Sequence, residues 1–175
     1  SSSSAASDVY KRQVISGAIK NSYGIIPGAL KAELHARSGN AQRFHELIVE
    51  IFNLRVPDLF IMDAVIGMEG NGPASPDLRE IGKILGADNA VALDAVMTRM
   101  MGLEPAALPF LETAKERGLG DFRDEAINVR GDFAVIPEFK LPPEVNKTAP
   151  TSEQSMKFFK SRTRMRPQVA PEKCT

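Results

Sequence analysis

Apolar and polar positions recur along this chain with two different periods, and the change of period outlines its elements. From Ala41 to Leu54, the residues Phe44, Leu47, Ile48, Ile51 and Phe52 fall at i, i+3, i+4, i+7 and i+8. That spacing predicts a helix with one apolar stripe, and Gln42, Arg43, Glu46 and Glu50 take its wet side. Asn40 stands where a side-chain oxygen can cap the first turn, and Pro57 enforces the end. From Asp58 to Val65 the pattern becomes a continuous apolar run, Leu59-Phe60-Ile61-Met62, as expected of a strand covered on both faces. A second strand is predicted over Arg79 to Ala87 from Ile81, Ile84 and Leu85. Between the two lies Gly67-Met68-Glu69-Gly70-Asn71-Gly72-Pro73, whose glycines allow positive φ and close backbone approach. Asn89 to Met101 is apolar nearly all round, which predicts a buried helix, capped by Asp88 and ended by Gly102. Pro109 opens a further helix that stops at Gly118.

The remaining stretches carry weaker patterns. Val14-Ile15 is short for a strand, and Lys20-Asn21 sits between apolar residues ahead of a Pro27-Gly28 turn. Leu30 to Asn40 reads as a polar loop with at most one helical turn. Ala126 to Val129 and Phe133 to Ile136 read as short strands around a Gly131-Asp132 turn. Strand and helix in this order predict an α/β fold, a layered and mostly parallel sheet with helices on both faces. Few strong strands are visible, so that sheet is expected to be incomplete. Residues 1–13, SSSSAASDVYKRQ, are serine-rich without a secretory apolar region and read as a non-native or disordered leader. The α/β domain then occupies 14–136, and 137–175 reads as a Pro-rich linker with one short helix around Gln154 to Lys160. Residues 140–175 hold eight Lys/Arg against three Asp/Glu and five prolines, the composition of an extended or disordered tail.

Composition narrows the function classes. The chain has 175 residues, 43% of them hydrophobic, enough for one domain with a core. Its formal net charge is zero, so charge offers no argument for nucleic acid or a membrane surface. No apolar run reaches the ~18–20 residues of a membrane helix. A single cysteine permits no internal disulfide, and a reducing, cytoplasmic setting is expected.

The candidate site centres on acids in unexpected places. Asp63 closes an apolar run at the carboxyl end of its strand, where ligands of open α/β sheets bind. Glu69, Gly70, Asn71 and Gly72 follow, and the loop's backbone N–H groups can form a nest. It lacks the Gly-Lys-Ser/Thr ending of a nucleotide-binding loop. Its acids suit a cation, with Asp63 and Glu69 as ligands, or a polar molecule, and a tight structural turn is the plain alternative. Asp94 lies mid-helix, between Ala90 and Thr98 at i−4 and i+4, so a neighbour can approach it closely. It is either a metal ligand or general base, or a carboxylate satisfied by backbone N–H groups or a basic side chain. Of the two histidines, His35 is the functional candidate, and His45 reads as a satisfied boundary residue. Lys20 and Asn21 line a pocket or form a solvated turn. Cys174 is an exposed thiol unless its Glu-Lys-Cys-Thr context opens a ferredoxin-type cysteine run.

Three motifs, S-G-A-I-K-N-S-Y-G-I-I-P-G, D-A-V-I-G-M-E-G-N-G-P and G-A-D-N-A-V-A-L-D-A-V-M-T-R-M-M-G-L, with His35 between the first two, resemble the family called domain of unknown function 362. The resemblance covers about Val14 to Gly131. It implies the α/β domain of a prokaryotic iron–sulfur protein, with an amino-terminal half and a ferredoxin-type module lying outside this chain. A 4Fe–4S cluster would then belong to the intact protein, with Cys174 its first ligand. The family's reaction is not established, so no catalytic residues come with it. It adds weight to Lys20, Asn21, His35, Asp63, Glu69, Asn71, Gly72, Pro73, Asp88 and Asp94 as motif positions. The leading expectation is a redox or electron-transfer protein whose glycine-rich loop binds a small molecule or divalent cation. There Asp63, Asp94, His35 and Lys20 would be the catalytic candidates, and Asn21, Glu69, Gly70, Asn71, Gly72 and Asp88 would bind the ligand. The alternative is a non-catalytic module that binds a cation or a protein, and the glycine-rich loop can equally be scaffolding.

Overall fold

The computed structural model describes residues 15–70 and 75–141. The expected leader, Val14, Asn71, Gly72, Pro73, the short helix at Gln154 to Lys160 and Cys174 lie outside the described residues. The elements run α1 (Ala18–Asn21), a 3-10 turn (Ser22–Ile25), α2 (Gly28–Ser38), α3 (Ala41–Leu54), β1 (Phe60–Met68), β2 (Leu78–Ala87), α4 (Ala90–Met100), a 3-10 turn (Pro105–Ala107), α5 (Pro109–Glu116) and a 3-10 turn (Asp124–Ala126). The content is mixed helix and strand.

The core is helical. Helix α1 lies against α3 and α4, and α5 closes on the same pair. Ile19, Ile48, Val49, Phe52, Val91 and Leu111 are sealed at its centre. The stripe on α3 is what brings it there: Phe44, Ile48, Ile51 and Phe52 are all buried, each removing apolar surface from water. Asn40 caps α3 as its position predicts, its side chain accepting from Arg43 N–H at 2.9 Å. Helix α4 is buried nearly all round, but its cap is Asn89, which accepts from Ala92 N–H at 3.1 Å. Asp88, the expected cap, lies one residue too early and is exposed.

Among the described residues the strands form one two-stranded antiparallel sheet. This corrects the expectation of a mostly parallel sheet with helices on both faces. Residues 69–77 alone separate the two strands, whereas a parallel return needs about a dozen residues or more, usually a helix. The register runs from Phe60 opposite Ala87 to Met68 opposite Leu78, with an irregularity between Ala64 and Ile66. One face of this hairpin meets the helices. Phe60 is buried with its ring 6.1 Å from that of Phe52, and Met62, Leu85 and Ala87 pack on the core beside it. The other face is bare: Ile61 and Ile84 remain 72% and 73% exposed. The run Leu59 to Met62 is therefore covered on one side.

Three further expectations are corrected. Leu30 to Asn40 is not a loop but the body of α2, because Ala29, Leu30, Lys31, Ala32, Glu33, Leu34, Ala36 and Arg37 are intrinsically helix-favouring. An exposed Glu33–Arg37 pair at 3.0 Å runs along it, and Gly39 at φ +67° ends it. Lys20-Asn21 is the end of α1, not a turn. Ala126 to Val129 and Phe133 to Ile136 are irregular rather than strands. Among the described residues they pair with no strand, and Ile136 N–H donates instead to the Met100 carbonyl at the end of α4, at 2.7 Å. No helix among the described residues is long and apolar enough to cross a membrane.

Candidate functional site

Asp94 is fully buried in the middle of α4. Its Oδ1 accepts Ala18 N–H at 2.6 Å and its Oδ2 accepts Ile19 N–H at 3.1 Å. Those two donors open α1, where a helix leaves N–H groups without intrahelical partners. Gly17, the residue at the cap position, supplies no capping side chain. Asp94 thus caps α1 from another helix, 76 residues away in sequence. The contact is close enough that a Cβ on Gly17 would overlap the carboxylate. Burial pushes the Asp94 carboxyl up to about 6, against the pull of the Ile19 and Ala18 N–H groups. With both oxygens occupied and no access to solvent, this acid holds two elements together.

Glu69 organises a second cluster, at the hairpin tip. It is 5% exposed, and its Oε2 accepts from Arg79 Nε and from the Lys140 backbone N–H, each at 3.1 Å. Arg79 also donates to the Glu138 carbonyl at 3.1 Å, and Gly70 N–H donates to the Lys140 carbonyl at 2.7 Å. Lys140 Nζ lies 3.4 Å from Asp77. Burial opposes ionisation of Glu69, but the Lys140 N–H and the Arg79 guanidinium outweigh it and hold the carboxyl below its usual range. Gly70 takes φ +80°, and a side chain there would press on Asp77 and Ser75. The tip is a clamp that straps residues 138–140 onto β1 and β2.

The other sequence candidates are dispersed. Asp63 is exposed on β1 opposite Ile84 and accepts the Val65 N–H at 2.9 Å beside the strand irregularity. Asp63 and Asp94 do not share a crevice, because one is open to water and the other is shut off from it. Asp88 is exposed between β2 and α4. Lys20 donates to Ser16 Oγ at 3.0 Å, and Asn21 is exposed at the end of α1. His35 is buried on α2, its ring 4.3 Å from that of Phe44. A shallow groove of about 210 Å³ between α2 and α3, lined by Leu34, Arg37, Arg43, Glu46 and Glu50 among others, contains none of them. No group of three or more His, Cys, Asp or Glu able to hold a metal occurs among the described residues.

Two features escaped sequence reasoning. His45 is buried against Phe110, and its Nδ1 finds no hydrogen-bond partner among the described residues. Burial, then the charge of Lys20, lowers its pKa, so the ring is held neutral. The larger feature is the bare hairpin face. Leu59, just ahead of the first strand, and Ile61, Ile66 and Met68 on it share this side of the hairpin with Leu78 and Ile84 of the second strand, all exposed. Only the shortness of the 69–77 connection could have signalled it, by requiring a hairpin with one face free.

A family model described as Domain of unknown function (DUF362) matches residues 11–99, from ahead of α1 almost to the end of α4. A thylakoid-associated protein of Synechocystis is 39% identical over 102 residues, which cover 58% of this chain and 32% of that protein. The chain thus spans about a third of the length of the curated relative it matches. No solved structure matches it.

Proposed function

This chain belongs to the domain of unknown function 362 family, and from that premise we propose that it serves as a non-catalytic protein-interaction module whose working surface is the outer face of the β1–β2 hairpin. The observation that carries this reading is the contiguity of exposed Leu59, Ile61, Ile66, Met68, Leu78 and Ile84. Six large apolar side chains on one face amount to the several hundred Å² that mark a contact surface rather than scattered surface residues. Both strands also present open edges among the described residues, and an uncovered edge is itself a template for pairing. The Synechocystis relative is named for an association, which agrees with a chain that works by being held against another surface.

The donor sets favour this reading over chemistry at the glycine-rich loop. Oε2 of Glu69 accepts from both Arg79 and the Lys140 N–H, and the two Asp94 oxygens accept from Ala18 and Ile19. A substrate bound at Asp94 or at Oε2 of Glu69 would have to undo a fold contact. The iron–sulfur expectation concerns the intact protein and places the remaining cluster ligands outside this chain. A 4Fe–4S cluster takes four thiolates, and the chain has one cysteine, Cys174.

Photoreactive side chains placed at Ile61 or Ile84 test the reading. They should insert into polypeptide, whether of this chain or another, far more than the same group at exposed Glu116 on α5. Insertion into water alone at all three positions would end it.

A further inference from the structure

The bare face has a definite chemistry. Besides its six apolar side chains it carries Asp63 and Glu80, both exposed. Neither is paired with a basic side chain among the described residues. Gly82 and Gly86 share the face with Ile84, by the alternation of the strand. A Cβ on Gly82 would meet nothing within 4 Å, so the floor there is shallow and open. A face of this kind suits an apolar segment that also brings cations. It does not suit a second copy of itself, which would place four unpaired acids in one desolvated contact.

Such a segment lies in this chain. Residues 154–165, QSMKFFKSRTRM, contain Met156, Phe158, Phe159 and Met165 with Lys157, Lys160, Arg162 and Arg164, and no acid. Helical spacing would gather Lys157, Lys160 and Arg164 on one side, at i, i+3 and i+7, and leave Met156, Phe158, Phe159 and Met165 on the other, interspersed with Ser155, Arg162 and Thr163. Its tether starts in the right place. The clamp holds Lys140 to Glu69 and Gly70 at the hairpin tip, so the chain leaves the body at one end of the hairpin. The stretch from Leu141 to Gln154 can span roughly 40 Å when extended, and strands of this length run about 30 Å. A tethered segment also meets the face at an effective concentration on the order of millimolar.

We propose that residues 154–165 dock on the outer face of the β1–β2 hairpin, with Phe158 and Phe159 against the apolar side chains and the basic residues over Asp63 and Glu80. The proposal rests on the reading of this face as a docking surface and names its occupant.

The test uses the full chain with a benzophenone side chain at position 61, a site exposed enough to accept it, and circular dichroism to confirm folding. Mass spectrometry should find an intramolecular cross-link into residues 154–165 whose yield does not change with protein concentration. Replacing Phe158 and Phe159 by Glu should cut that yield about tenfold, the loss expected when an apolar anchor is removed. The charge reversals Asp63→Lys and Glu80→Lys should also lower it, and adding Lys157→Glu and Arg162→Glu should restore part of it. A doubled-mass product that grows with concentration would assign the face to a second copy. That would overturn the proposal while leaving the docking reading in place. Cross-links spread over the chain without preference for 154–165 would overturn it as well. Insertion into water alone would overturn both.

Discussion

Asp94 shows how one side chain can be indispensable without being catalytic. Its carboxylate supplies the acceptors that Ala18 and Ile19 need at the start of α1. Asp94→Ala should therefore cost about 1–3 kcal/mol, the penalty for stranding buried donors, read as a lower denaturant midpoint. Gly17→Ala should be destabilising on its own, by roughly 1–3 kcal/mol, because its Cβ enters the space of that carboxylate. The titration has a definite sign. Burial raises the Asp94 carboxyl from 3.8 to about 6 in the fold, so its contribution to stability is complete below about pH 4. It is lost as pH rises through about 6, and Asp94→Asn should flatten that part of the profile. His45 acts in the opposite sense. Its pKa is lowered from 6.5 by burial and then by Lys20. The unfolded chain therefore takes up the proton first, and stability falls as pH drops below about 6.5. His45→Leu should raise the denaturant midpoint more at pH 5 than at pH 8, and an equal shift at both would refute the assignment.

At the scale of elements, the hairpin and its clamp behave differently from the helices. Glu69 ties Arg79 and Lys140 to the tip through hydrogen bonds that cross 10 and 71 residues of sequence. Glu69→Ala should speed amide hydrogen exchange at Gly70 and Lys140 several-fold while leaving α3 and α4 unchanged. Unchanged exchange at Lys140 would show that the strap is held by something else. The strand pair also shows where pattern reading stops. An apolar run such as Leu59 to Met62 has the same appearance whether one face is covered or two, and the choice of antiparallel pairing was made by the shortness of the connection. Helix α2 escaped for a related reason. Only His35 and Ser38 are buried on it, so it has no apolar stripe to detect, and its evidence is residue propensity alone.

For the whole molecule, burial is concentrated in the helices. Of β1 only Phe60 is buried, and of β2 nothing is, whereas α1, α3, α4 and α5 share the sealed core. Opening free energies should follow that division. The slowest amides should lie in α3 and α4, and those of β1 past Met62 should exchange well before global unfolding. Docking of the 154–165 segment would slow the hairpin amides, so their exchange in the Phe158→Glu, Phe159→Glu variant should be faster than in the parent chain.

Local chemistry by itself determined the elements that depend only on near neighbours. Helix α3 spans Ala41–Leu54 with Asn40 as its cap, because stripe, cap and terminating proline all lie within a few residues of one another. Helices α4 and α5 and the glycines that end them follow from the same short-range rules. The sequence also marked Asp94 as an acid in a buried, small-sided strip that a neighbour could approach. It could not say that the neighbour would be the backbone N–H groups of Ala18 and Ile19, since those contacts span more than seventy residues. Tertiary structure alone decided that partner, the closure of Glu69 by a distant strap, and the bare face of the hairpin. Each of these depends on which surfaces meet when the helices condense, and the period of a pattern carries no record of that.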